Sequence, residues 1–176
     1  MAGQTEETAG AILARMQAVA AEHAPRIRLT YGRCEFKPGS RNTVPERVTM
    51  SVDLRHPEQR VLEQVEATLL NVVAEAAAVA RVQGSVRREW DAAAIEFAPE
   101  CIDSVQRAVD QLGYRHRRMV SGAGHDSVNV SRVAPAGMIF VPCAGGLSHN
   151  EMENARQEDL EAGCNVLLHA ILEQAA

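Results

Sequence analysis

Aromatic residues make up only 3% of the 176-residue chain, so alanine, valine and leucine must fill most of its interior. No apolar run reaches the roughly 18 residues needed to span a bilayer. Long basic runs are missing too, and the formal charge is −5, which argues against a nucleic-acid or anionic-membrane partner. No CxxC pair occurs. Cys34, Cys101, Cys143 and Cys164 lie far apart, the usage expected of a reduced, cytoplasmic chain. The opening "MAGQTEETAG" is polar and acidic, unlike the apolar centre of a secretory leader. What is present is a hydrophobic fraction of 46%, enough to fill a core and to exclude a disordered chain. The length allows one ordinary domain or two small ones.

Apolar spacing organises the first ninety residues. Ala9, Ile12, Leu13, Met16, Val19 and Ala20 recur at helical spacing, with Thr5 as a candidate N-cap and Pro25 beyond the end. "RIRLTYGRCEF" reads as a strand with Ile27, Leu29 and Tyr31 on one face. Gly32 breaks the alternation, and Cys34 and Phe36 resume in shifted phase, the mark of a bulge. After the loop "KPGSRNTVPE", the segment "RVTMSVDLR" alternates cleanly: Val48, Met50, Val52 and Leu54 against Thr49, Ser51, Asp53 and Arg55. Residues 56–80 carry a helical stripe of Val61, Val65, Leu69, Val72 and Ala76, with Pro57 near its first turn. "SVRREWDAA" (85–93) reads as a third strand. The order is that of a ferredoxin-like unit without its opening strand.

The second half reads as an α/β layer. A helix carries Ile102, Val105, Ala108, Val109 and Leu112 and stops at Gly113, a suitable C′ residue. "RHRRMV" is predicted as a short strand. "SGAGHDSVNVSRV" reads as a turn opening a helix, and "GMIFVPC" as a buried parallel strand. The final helix, from about Gln157 to Gln174, is predicted to bury Leu160, Leu167, Leu168, Ile171 and Leu172.

Two loops at the ends of the predicted strands are candidate sites. In "SGAGHD", Gly122, Ala123 and Gly124 leave the backbone unobstructed for a carboxylate or oxyanion, and His125 follows. Asp126 either caps the next helix or orients that histidine. In "GGLSHNEME", His149 has the chemistry of a zinc or manganese ligand or of a surface histidine. Glu151 and Glu153 fit outer acids of a metal site or first-turn helix charges. Asn42 lies between Pro38 and Pro45. Arg55 could clamp a substrate carboxylate with a bidentate pair, or be a solvated edge charge paired with Asp53.

Taken together, "RNTVPERVTMSVDLRHP", "SGAGHDSVNVSRVAPAGMIFVPCAGGLSHNEME" and "DLEAGCNVLLHAIL" resemble the amidohydrolase branch of the M20 metallopeptidase family. That branch holds N-carbamoyl-L-amino-acid hydrolases, β-ureidopropionases and allantoate amidohydrolases. The resemblance covers nearly the whole chain. It implies an α+β and α/β architecture: residues 1–93 as an incomplete ferredoxin-like lid and dimerisation domain, and residues 94–176 as the C-terminal part of a catalytic domain. It implies two divalent metal ions, zinc or manganese, in a full-length member, and a small ureido or amide substrate bearing a carboxylate. By motif, His149 would be the last metal ligand, and Asn42 and Arg55 would hold the substrate. Gly122, Ala123, Gly124 and His125 would line its pocket. Family members commonly carry serine where this chain has Cys143.

The remaining ligands of the family come from a histidine-x-aspartate triplet, a glutamate pair and a further histidine, upstream of the lid. No histidine-x-aspartate triplet occurs here, and the only adjacent glutamates are Glu6 and Glu7. One imidazole cannot hold two divalent ions against water. The expectation is therefore a fragment of a metal-dependent amidohydrolase that binds no metal stably and is inactive alone. The alternatives are a self-associating assembly module and one half of a split enzyme.

Overall fold

The computed structural model describes residues 5–175; the first residues of the polar opening lie outside them. The chain divides into two compact units, Met1–Ala94 and Ile95–Ala176.

The first unit holds helix α1 (Thr5–Glu22), strands β1 (Arg28–Lys37) and β2 (Arg47–Arg55), and helix α2 (Gln59–Ala80). Thr5, a candidate N-cap by sequence, lies within α1. The strands pair antiparallel from Arg28 opposite Arg55 to Lys37 opposite Arg47. The register shifts between Tyr31 and Arg33, so the extra residue is Gly32, the break in the alternation. Met16, Val65 and Val72 are almost fully buried, with Ile12, Ala20, Ile27 and Leu69 around them. Leu29, Tyr31, Met50, Val52 and Leu54 close this core from the strands. The inward face of β2 is the one its alternation predicts. Burial raises the Tyr31 phenol above its ordinary range, and its hydroxyl donates to the carbonyl of Leu13 at 3.3 Å.

α2 ends in a Schellman turn. Val82 N–H bonds the carbonyl of Ala77 at 3.0 Å, and Arg81 sits in the left-handed region at φ 57°. Residues 85–93, predicted as a strand, form no ladder. Arg88 instead pins this segment to α2 through Glu66 and bonds Asp91 at 2.9 Å.

The second unit contains α3 (Pro99–Leu112), the single turn α4 (Ser127–Val130) and α5 (Gln157–Gln174). Pro99 opens α3, and Gly113 closes it at φ 69° with Tyr114 N–H on the carbonyl of Val109. Ala108 and Val109 meet Val166 and Ala170 of α5, with Val105, Leu112, Tyr114 and Ile139 around them. Buried Ser104 is satisfied by Gln174 Nε2 at 2.6 Å and Glu173.

Two expectations fail here. "RHRRMV" and "GMIFVPC" form no strands, and the only sheet among the described residues is the β1–β2 pair. A strand exists through its neighbour's hydrogen bonds, and nothing described in this unit supplies them. Among the described residues the structure is thus mixed α and β, with a two-stranded sheet in the first unit and without the predicted parallel layer in the second. The leucine face of α5 is also open: Leu160, Leu167, Leu168, Ile171 and Leu172 are each about half exposed or more. α5 buries its small face instead. A Cβ on Gly163 would stand 2.6 Å from Val141 Cγ1, so the glycine permits close approach of residues 137–143.

Candidate functional site

In the first unit, Arg55 ends β2 and Asn42 lies in the β1–β2 loop, both exposed. The Arg55 guanidinium forks onto Asp53, with Nε to Oδ1 at 2.8 Å and Nη2 to Oδ2 at 2.9 Å. The two residues share the polar face of β2, so their side chains meet naturally. The hydrogen bond from Arg55 holds the Asp53 carboxyl below its ordinary range against partial burial, and the same bond raises Arg55. The edge-charge pairing weighed from the sequence is present, and an incoming carboxylate would compete with Asp53 for this fork. Asn42 Oδ1 accepts from Ser40 Oγ at 3.0 Å, which orients its amide nitrogen as the donor.

In the second unit, Gly122, Ala123, Gly124 and His125 are all exposed. Ser121 Oγ accepts from Ala123 N–H at 3.2 Å and fixes the turn. Asp126 stands at the N-cap of α4, yet its carboxylate makes no capping bond. The cap is the His125 ring, whose Nδ1 accepts from Ser127 N–H at 3.1 Å. Sequence reasoning missed this. The signal was a histidine two residues before the amide it accepts from, a spacing shared by His56, whose Nδ1 accepts from the N–H of Glu58, the N-cap of α2, at 3.0 Å.

His149 is exposed and lies at φ 58°, the left-handed region, just after Gly145 (φ 62°) and Gly146 (φ 70°). Glu153 serves neither as a first-turn charge of α5 nor as a free acid. Its Oε2 accepts from His149 N–H at 2.7 Å, and its Oε1 lies 3.9 Å from the Cys143 thiol. It therefore ties the two ends of this loop together, while Ala144 N–H bonds the carbonyl of Asn154 at 2.6 Å. Glu151 lies before α5 and is exposed.

Among the described residues, no group of three or more histidine, cysteine, aspartate or glutamate side chains converges to hold a metal ion. A dinuclear centre does not fit the donors that are placed. No helix among them is long and apolar enough to cross a membrane.

A sequence profile of peptidase family M20/M25/M40 matches residues 4–173. The chain belongs to this family. Its relatives include an N-carbamoyl-L-amino-acid amidohydrolase from Rhizobium meliloti, 40% identical over 93% of this chain and 39% of that protein. An allantoate amidohydrolase from Bacillus subtilis is 34% identical over 80% of this chain and 34% of its own length. A hydantoinase/carbamoylase family amidase from Burkholderia vietnamiensis superposes with TM-score 0.88 at 42% identity. That match covers 96% of this M20 chain and 41% of the amidase. The chain thus spans about two fifths of the length of such relatives.

Proposed function

We propose that this M20 chain is the substrate-gripping and last-ligand portion of a metal-dependent amidohydrolase that cleaves linear amide or carbamoyl C–N bonds. The observation that carries the reading is the 40% identity to an N-carbamoyl-L-amino-acid amidohydrolase across nearly the whole chain. In this reading residues 1–93 are the lid and residues 94–176 the C-terminal part of the catalytic domain. Arg55 holds a substrate carboxylate, with Asn42 donating to a neighbouring oxygen. Within the second unit, Gly122, Ala123, Gly124 and His125 line a pocket for a ureido or amide group. His149 offers one imidazole to a zinc or manganese ion. The other donors lie outside this chain, so the chain by itself turns over nothing.

The test is an assay of the purified chain on N-carbamoyl amino acids and allantoate with zinc, manganese or cobalt, beside elemental analysis. The expected result is no metal-dependent turnover and well under two ions per chain. Turnover, or two ions held per chain, overturns the reading.

A second reading, a self-associating assembly module, is favoured by the open leucine face of α5 and the unpaired segments 115–120 and 137–143. An enzyme completed by a second polypeptide would use the same surfaces.

A further inference from the structure

We infer that Ser127 is the positioning residue that fixes the tautomer of His125, making that ring a hydrogen-bond donor to a ligand oxygen and not a metal ligand. The ligand half of this inference rests on the amidohydrolase reading above; the tautomer half does not.

A backbone N–H only donates, so the Ser127 amide 3.1 Å from Nδ1 requires a bare lone pair there. A neutral imidazole with Nδ1 bare carries its proton on Nε2. The Ser127 hydroxyl also lies 3.1 Å from Nδ1, but a hydroxyl adapts to either tautomer and decides nothing. The amide therefore selects the form. With Nδ1 occupied and Nε2 protonated, the ring has no lone pair left for a cation. What it presents beside the exposed backbone of Gly122–Gly124 is one N–H, suited to a carbonyl, carbamoyl or carboxylate oxygen. This separates the two exposed candidate histidines by role: only His149 remains as a metal donor. His56 makes the same ring-to-amide bond and serves as an internal standard.

The experiment is long-range nitrogen–proton correlation of the histidine rings in the whole 15N-labelled chain, above the ordinary imidazole titration range, with His125→Gln for assignment. The expected result is a bare Nδ1 and a protonated Nε2 on His125, with a through-hydrogen-bond coupling between Nδ1 and the Ser127 amide. Ser127→Ala retains the N–H and keeps the pattern. Ser127→Pro removes the N–H, although a proline there disfavours the right-handed α conformation of Asp126 (φ −61°, ψ −27°), and in a chain that keeps its fold it returns His125 to an exchanging mixture while His56 stays fixed. If the proline variant fails to fold, the coupling in the unaltered chain decides. A proton on Nδ1, an unchanged ring in a folded Ser127→Pro chain, or displacement of the His125 signals by added zinc overturns the inference. Added N-carbamoylglycine should shift the Nε2 proton. A fixed ring that ignores it sinks the substrate reading and leaves the role of Ser127 standing.

Discussion

Arg81 and Gly113 occupy the same place in two helix-ending turns, and only one is a glycine. An L side chain in the left-handed region costs about 1 kcal/mol, so Arg81→Gly should stabilise the first unit by up to about that amount. Gly113→Ala should destabilise the second by about 1 kcal/mol; urea titration of each variant checks both signs. The glycine ending was legible in the sequence, whereas an arginine doing the same work was not. Asp53 gives a pH prediction. Its folded carboxyl is held below the ordinary range by Arg55. The stabilisation is therefore present at neutral pH and lost as pH falls through the lowered value. Both side chains are nearly half exposed (45% and 48%), so solvent screens the pair. Asp53→Asn should cost less than about 1 kcal/mol at pH 7 and flatten the acid limb of stability against pH. The same variant removes the competing Asp53 carboxylate, so it should tighten any carboxylate binding at Arg55, readable by calorimetry.

At the scale of elements, the long helices and the β1–β2 pair were readable because their signals are local: a 3.6-residue stripe or a clean alternation. Met16 lies on such a stripe and is fully buried, so Met16→Ala should cost about 2–5 kcal/mol in denaturant unfolding. The segments 85–93, 115–120 and 137–143 carry strand-like composition, but pairing is decided by neighbours that sequence cannot supply. α5 shows the same limit. It has an apolar face of leucines and a small face of Gly163, Val166 and Ala170, and hydrophobicity favours the first. Contact with α3 and Val141 selects the second because small residues allow close approach. Gly163→Ala would gain helix propensity yet drive a methyl into Val141, so it should destabilise by about 1–2 kcal/mol on balance. Of the candidate site, residue types and loop positions were legible. The Glu153 staple and the His125 cap were not, since both depend on backbone N–H directions.

For the whole molecule, the decisive feature is the stripe Leu160, Leu167, Leu168, Ile171 and Leu172. Surface charges there should be tolerated: Leu167→Glu with Ile171→Glu should change unfolding free energy by no more than about 1 kcal/mol. Light scattering should show the unaltered chain associating at high concentration and the double glutamate variant remaining monomeric. Any copy or partner laid along that stripe is a ligand of the folded state alone. Melting of the unaltered chain should therefore become a mass-action quantity, its midpoint climbing as the protein is concentrated, whereas the glutamate variant melts at one temperature whatever its dilution.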